Sequence, residues 1–363
     1  MNITGKITGI RYEPLLTDEL QKIDYSRFDI NQVPTACIIA DGRHSFAVSK
    51  WVSPKRTRSY PYERVYNTLN ISKKLTVIPI VKDEGATGDR DFIQWDTVSL
   101  MSLLDVFVIF AYYRKAEKAG SKITNQQFDN KYVLSKIKEI EQYHSSALHW
   151  NLNELNTNLH TIINKAKSSY TEIEKATKVK LHGFSGLENF QNKIGKDVSA
   201  FMAFSRGKAA NAQSREFVTV QPKESLSTLT KAKITINNYL GGQYFFTVDE
   251  VKLTKDKLFL IEGKHSVNSI LPSKGDIKDG LVKMILYSNL SDTKANERKV
   301  KSEPVLELTS VKLQGAINSS SSMKVTETFL IKNNFSSVHK KLVTALLEEA
   351  KRNKFTVSIK EAK

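Results

Sequence analysis

Two short runs of strand-forming residues, separated by a polar turn, constrain the fold of this chain more than any other feature. The first run covers residues 244–248 and the second covers residues 258–261. Aromatic and aliphatic residues of this kind favour strands, and the polar residues 254–257 between the runs are typical of a turn. The sequence therefore predicts a β-hairpin in the C-terminal half of the chain.

Charged residues follow both predicted strands. Asp249 comes after the first run and Glu262 after the second, so paired strands would place two carboxylates within reach of one divalent ion. Lys264 lies two residues after Glu262, and the period of two along a strand puts both side chains on one face. Phosphodiester hydrolysis needs oxygen ligands for Mg²⁺ and a group that positions or polarises the attacking water. These three residues therefore predict a metal-dependent hydrolytic site.

The acid-x-Lys triplet is a weak signal by itself, because a lysine-rich chain contains such triplets by chance. Its context singles out Glu262, which follows an apolar strand and has an acid on the preceding strand. The alternative interpretation makes Asp249, Glu250 and Lys252 ordinary solvent-facing residues of a hairpin. Glu262 and Lys264 would then form only an ion pair.

Residues 276–290 have apolar positions at helical spacing, which predicts a crossover helix after a core strand. With this helix, residues 240–290 resemble the PD-(D/E)xK nuclease superfamily and, within it, the type II restriction endonucleases. The resemblance maps Asp249, Glu262 and Lys264 onto the three positions of the family motif. Val248, in place of proline, precedes the first acid.

The family often adds another acid from an upstream helix. Glu224, ahead of the helix-like residues 225–240, is the candidate in this sequence.

The resemblance implies an α/β fold in which helices flank the mixed β-sheet of a nuclease core. It also implies Mg²⁺-dependent, sequence-specific hydrolysis of double-stranded DNA that leaves 5′-phosphate ends. Asp249, Glu262 and the carbonyl of Gly263 would hold the metal, and Lys264 would orient the nucleophilic water. A homodimer and a cognate DNA methyltransferase are the partners expected of such an enzyme. A repair or recombination nuclease and a non-catalytic DNA-binding protein are the alternatives.

A second acidic cluster in the first third of the chain is the main rival for a metal site. Its members are Glu63, Asp83, Glu84, Asp89 and Asp91. A helix acid followed by an acid at a strand end resembles the nuclease order, but no acid-x-Lys triplet follows on the next strand. The alternative is a solvated acidic loop.

Two basic segments are candidates for contacts with DNA. Residues 51–62 interleave Lys55, Arg56 and Arg58 with aromatic rings, a combination that suits phosphate contacts and stacking. Arg206 and Lys208 belong to a second basic loop at residues 205–215. A surface loop held by its prolines and aromatic residues is the alternative for the first segment.

Composition agrees with a polyanionic partner and an intracellular protein. The net charge is +17 and the isoelectric point is about 9.6, so the chain attracts polyanions. Cys37 is the lone cysteine, which excludes an internal disulfide and fits a reducing cytoplasm. No apolar run is long enough to span a bilayer. We expect a cytoplasmic protein with no membrane association.

The remaining patterns predict three consecutive segments. These are an α/β region at 1–120 with a possible role in DNA recognition, a basic helical region at 121–215, and the nuclease core at 216–363. Within them we predict a hairpin at residues 35–48 around Asp41 and Gly42, a strand at 75–81, helices across 125–180, a strand at Phe329 and Ile331, and a closing helix at 338–352. The spacing of His144, His149 and His160 does not favour a shared metal ion.

Overall fold

The structure is a computed structural model that describes residues 1–42, 44–52, 61–194, 230–238 and 243–362. It belongs to the mixed α/β class, as the sequence predicts, and its contacts divide the chain into two units. The central unit comprises residues 19–208, and the C-terminal unit combines residues 1–18 with residues 209–363. This division differs from three consecutive segments, because strand β1 (Asn2–Ile7) pairs with a strand of the C-terminal half.

The central unit contains a five-stranded mixed sheet and two smaller hairpins. Its strands are β2 (Lys22–Asp24), β3 (Ala36–Ala40), β4 (Ser45–Lys50), β5 (Lys74–Pro79), β6 (Val81–Asp83), β7 (Arg90–Phe92), β8 (Val106–Ala111), β9 (Tyr113–Ala119) and β10 (Lys122–Phe128). Its helices are α1 (Tyr62–Tyr66), α2 (Trp95–Leu103), α3 (Asn130–Glu141), α4 (Ala147–Thr157), α5 (Leu159–Thr177) and α6 (Ser185–Ile194). Strands β5 and β8 are parallel and buried along their whole length, which explains the continuous apolar sequence of β8.

Several predictions for the central unit are confirmed. Strands β3 and β4 form the antiparallel hairpin, and Gly42 in its turn has φ +87°, a conformation that favours glycine. The predicted strand at residues 75–81 corresponds to β5 and β6. The predicted helical region begins later than expected, because residues 125–128 still belong to β10 and the first helix starts at Asn130.

The C-terminal unit is built on a nine-stranded mixed sheet in the order β15-β14-β1-β11-β12-β13-β16-β18-β17. Besides β1, its strands are β11 (Thr230–Asn238), β12 (Gln243–Leu253), β13 (Lys257–Ser266), β14 (Ser291–Ala295), β15 (Arg298–Lys299), β16 (Lys301–Ser310), β17 (Ala316–Asn318) and β18 (Thr356–Glu361). Its helices are α7 (Lys274–Ser288), α8 (Met323–Lys332) and α9 (Ser337–Arg352). The predicted crossover helix is α7 and the predicted closing helix is α9, so both predictions are confirmed.

The hairpin on which the sequence analysis depends is also confirmed. Strands β12 and β13 pair antiparallel, and β13 then pairs in parallel with β16. Both strands are longer than predicted. Strand β12 continues beyond Asp249 to Leu253, and β13 continues beyond Glu262 to Ser266. The two acids therefore lie within their strands and not at the strand ends, and Glu262 pairs with Leu306 of β16.

Two local predictions are wrong. Residues 230–238, predicted as helix-like, form β11, where the alternate residues Ala232, Ile234 and Ile236 are buried with the period of two of a strand. Phe329 and Ile331 were predicted on a strand but belong to helix α8, which begins after the N-cap Ser322. Phe329 is buried and Ile331 is exposed, whereas residues two apart on a strand would share a face.

Some predicted functional residues lie outside the described residues. They are Lys55, Arg56, Arg58, Arg206, Lys208 and Glu224. In the described part of the chain, none of the helices combines the length and the apolar character that a bilayer-spanning segment needs.

Candidate functional site

The antiparallel register brings the two predicted acids together. Glu250 pairs with Ile261, and Asp249 and Glu262 are the next residues along the two strands. Their carboxyl groups are close enough to share a hydrogen bond. The backbone N–H of Gly263 donates a second hydrogen bond to Asp249 Oδ2 at 3.1 Å. Two carboxylates that are 13 positions apart in sequence thus form one side-chain pair.

Glu262 is buried and contacts two lysine side chains. Lys264 Nζ lies 3.0 Å from Glu262 Oε1, which agrees with the predicted position of this lysine on the same face of the strand. Lys283 Nζ, from helix α7, lies 2.6 Å from Glu262 Oε2. Only 1% of the Glu262 side chain is exposed, so the two ammonium groups replace the water that a carboxylate needs.

A glycine in α7 makes room for Lys264. A Cβ atom built at Gly280 would lie 3.3 Å from Lys264 Cε and 2.7 Å from Leu306 Cδ1 on β16. The second distance is shorter than real Cβ contacts. The missing side chain of Gly280 therefore lets α7 approach the sheet while the stem of Lys264 passes beside it toward Glu262.

The charges of this cluster shift the pKa values of the two acids in opposite directions. Burial of the carboxyl group and the negative charge of Glu262 raise the pKa of Asp249, although the residue as a whole is exposed. Burial also acts to raise the pKa of Glu262, but the charges and hydrogen bonds of Lys283 and Lys264 outweigh it and lower that pKa. Glu262 is thus the carboxylate of the pair, and Asp249 is the acid that more readily keeps a proton.

Helix α7 also brings the hydroxyl group of Tyr287 into this environment. Tyr287 is 1% exposed, and its hydroxyl oxygen has no hydrogen-bond partner among the described residues. Burial raises the pKa of Tyr287, and the charges of Glu262 and Asp249 raise it further. Tyr287 and Lys283 are four residues apart and therefore lie on one face of the helix.

The carboxylate and carbonyl oxygens of this cluster are of the kind that a divalent magnesium ion binds. Asp249 and Glu262 offer carboxylate oxygens, and the intervening backbone of Gly263 offers a carbonyl oxygen on the same strand. A donor set made of oxygen atoms is the one that Mg²⁺ prefers. Binding requires an ionised Asp249 and the release of one Glu262 oxygen by Lys283 or Lys264.

The opposite pKa shifts predict how stability depends on pH in the absence of metal. Because the pKa of Asp249 is raised in the folded protein, ionisation of this group costs stability once the pH exceeds its ordinary value of 3.8. Asp249→Asn is therefore expected to raise the free energy of unfolding at pH 7. This gain should shrink as the pH falls through the raised pKa, where folded wild-type protein also carries the proton. Urea unfolding in EDTA at pH 7 and pH 4 measures both values.

Asp256→Asn is the matched control, because Asp256 lies exposed in the turn of the same hairpin. We expect it to change stability by less than about 0.5 kcal/mol at either pH. A loss of stability in Asp249→Asn at pH 7 would contradict the assignment of the proton to Asp249.

Sequence reasoning missed Lys283 and Tyr287. Both lie on the predicted helix, but nothing in the family motif points to them. The available signal was a lysine inside the apolar stretch of residues 281–287, where a cation needs a partner. His265, the neighbour of Lys264, lies on the other face of β13, and its Nδ1 is 2.9 Å from Thr309 Oγ1.

The rival acidic cluster of the central unit is divided between two faces of a short hairpin. Asp83 is buried and lies 2.9 Å from His182 Nδ1, and it also accepts a hydrogen bond from the backbone of Gly85. Glu84 contacts Lys82 on the opposite face. The strand register places Asp91 opposite Lys82.

Glu63, an outer member of this cluster, lies 3.1 Å from Arg64 Nε. Arg90, on the strand that carries Asp91, donates a hydrogen bond from Nη1 to the carbonyl of Gly183 at 2.9 Å. The contacts of Arg90 and Asp83 tie the hairpin of β6 and β7 to residues 182–183, ahead of helix α6.

Comparison with known proteins identifies no relative of this chain. No protein-family model, no curated protein and no solved structure matches the chain. The assignment of the site therefore depends on its own residues and their chemistry.

Proposed function

We propose that this protein is a Mg²⁺-dependent type II restriction endonuclease that hydrolyses phosphodiester bonds of double-stranded DNA. The observation that carries the proposal is the pairing of Asp249 with a buried Glu262 that two lysines contact. A mixed sheet with a crossover helix after β13 supports the likeness to the PD-(D/E)xK arrangement. The net charge of +17 supports a polyanionic substrate.

Each residue of the site has a separate role in this proposal. Bound Mg²⁺ supplies a Lewis acid for the phosphate and lowers the pKa of a bound water. Asp249 and Glu262, with the carbonyl of Gly263, hold the ion. Lys264 orients the attacking water and stabilises the charge that develops on phosphorus. Lys283 offsets the charge of Glu262 before metal binds and keeps this carboxylate ionised.

A non-catalytic DNA-binding protein is the second candidate, and one observation favours it. Both carboxylate oxygens of Glu262 already contact ammonium groups. In that case the cluster would be an internal ion-pair network that stabilises the sheet, and the positive charge of the protein would serve binding alone.

Incubation of the purified protein with phage DNA in Mg²⁺ or in EDTA separates these candidates. The proposal expects discrete fragments with 5′-phosphate ends in Mg²⁺ and intact DNA in EDTA. Glu250→Ala is the matched control, because Glu250 is the next acid on β12 but faces Glu307 and Lys360 on the other side of the sheet. If the protein binds DNA in a gel-shift assay but leaves it intact in Mg²⁺, the nuclease proposal is refuted and the non-catalytic DNA-binding protein is supported. Unspecific degradation would favour a repair or recombination nuclease.

The same proposal includes the partners and the compartment. Cutting both strands of a symmetric DNA site is the natural task of a homodimer, which sedimentation in solution would detect. A cognate DNA methyltransferase would protect the host genome. A reducing cytoplasm suits the lone Cys37, which is buried in β3.

A further inference from the structure

A histidine and two carboxylates of the central unit lie close together. In Asp41, His44 and Glu141, one ligand atom from each side chain lies within 4.8 Å of the other two. Asp41 and His44 belong to the turn between β3 and β4, and Glu141 is the last residue of α3. Two elements that are distant in sequence thus contribute to one cluster.

The distances between these atoms suit a common metal ion. His44 Nδ1 lies 2.6 Å from Glu141 Oε1 and 3.6 Å from Asp41 Oδ2. Ligand atoms around a tetrahedral zinc ion are separated by about 3.3 to 3.6 Å, as the usual bond lengths require. Small side-chain rotations therefore convert the present arrangement into a coordination shell.

The backbone of the turn holds two of the three ligands in place. The backbone N–H of His44 donates a hydrogen bond to Asp41 Oδ1 at 2.7 Å, which leaves Oδ2 directed toward the imidazole. The ring of His44 stacks on Phe46, the second residue of β4. The turn thus orients Asp41 and His44 before any ion binds, and this reduces the entropy cost of binding.

One hydroxyl oxygen lies close enough to the two carboxylates to feel their charges. The hydroxyl oxygen of Tyr25 is buried and has no hydrogen-bond partner among the described residues. Burial raises the pKa of Tyr25, and the charges of Glu141 and Asp41 raise it further, so the hydroxyl lies within the field of both carboxylates. The nearby ammonium group of Lys73 donates hydrogen bonds to the backbone carbonyls of Glu141 and Tyr143. A cation among the carboxylates would offset their charge.

We propose that Asp41, His44 and Glu141 bind a divalent transition-metal ion of the zinc type. One imidazole nitrogen with two carboxylate oxygens is a donor set that suits zinc better than magnesium, which prefers oxygen ligands. The ion would join the turn of the β3–β4 hairpin to the end of α3 and stabilise the central unit. This proposal does not depend on the proposed nuclease activity, because none of its ligands belongs to the C-terminal unit.

Titration of the full-length, chelator-treated protein with Zn²⁺ tests the proposal, with calorimetry and the melting temperature as readouts. Co²⁺ serves as a second probe, because its visible absorption reports the coordination geometry of the bound ion. We expect one binding event that raises the melting temperature of the wild type. His44→Gln and Glu141→Gln are each expected to weaken the affinity by at least about tenfold.

Two controls make the result specific. His144→Gln removes an exposed histidine three residues beyond Glu141 and is expected to bind Zn²⁺ like the wild type. Asp249→Asn changes the proposed nuclease site and is also expected to retain this binding event. Absence of binding in the wild type, wild-type affinity in both ligand variants, or loss of binding in Asp249→Asn would each overturn the proposal. Circular dichroism of every variant confirms that its fold is intact.

Discussion

Lys264→Ala is expected to lower the rate of DNA cleavage at saturating Mg²⁺ by about 10²–10³-fold, the usual cost of removing one positioned group that stabilises transition-state charge. Lys264 lies 3.0 Å from Glu262, and no other lysine of β13 after Glu262 is available to replace it. Glu262→Gln is expected to cause a loss at least as large, because it removes a charged metal ligand. Initial rates of plasmid linearisation over a range of Mg²⁺ concentrations measure both effects.

The two substitutions should differ in their dependence on Mg²⁺. Glu262→Gln weakens metal binding, so part of its activity should return at high Mg²⁺ concentration. Lys264→Ala lowers the maximal rate and should not respond to added metal. Lys252→Ala is the matched control, because this exposed lysine lies on β12 of the same hairpin. Cleavage that survives both site substitutions would refute the site and direct attention to residues 83–91.

Glu349→Ala is expected to lower the free energy of unfolding by about 3–5 kcal/mol, because it removes the buried acceptor of several hydrogen bonds. Glu349 on α9 is completely buried. It accepts hydrogen bonds from the hydroxyl of Tyr12 at 2.6 Å and from the backbone N–H groups of Leu15 and Leu16 at 2.9 and 3.2 Å. The substitution leaves these donors without their acceptor. Urea unfolding at pH 7 measures the loss.

The adjacent acid of the same helix provides the control. Glu348 is about half exposed and pairs with Arg352 Nε at 3.0 Å. Glu348→Ala is expected to cost less than about 1 kcal/mol, because exposed ion pairs contribute little. A similarly small effect in Glu349→Ala would show that the buried carboxylate does not anchor residues 12–16. Limited proteolysis of this segment is an independent readout, since it should be cleaved faster in Glu349→Ala.

Local sequence patterns predicted part of the candidate site. The two runs of strand-forming residues and the polar turn predicted the hairpin, and the period of two placed Lys264 beside Glu262. The period of two is also present in residues 230–238, which were nevertheless predicted as helix-like. Their buried Ala232, Ile234 and Ile236 show the strand period, and β11 is stabilised by its neighbours β1 and β12.

The sequence by itself determined the elements whose signals are local. These are the hairpin of β12 and β13, the helices α7 and α9, and the turn at Asp41 and Gly42. Turn residues and side-chain periodicity act over a few neighbouring positions, so one strand or helix carries its own signal.

Only the tertiary structure decided which distant residues meet. It pairs β1 with β11, places Lys283 against Glu262, and brings Glu141 to His44. Each of these contacts joins separate elements, and its geometry depends on how helices pack on sheets and how strands are ordered. Periodicity within one element contains no information on that order. The acids of the proposed nuclease site were therefore predictable, whereas the lysine from α7 and the proposed zinc ligands were not.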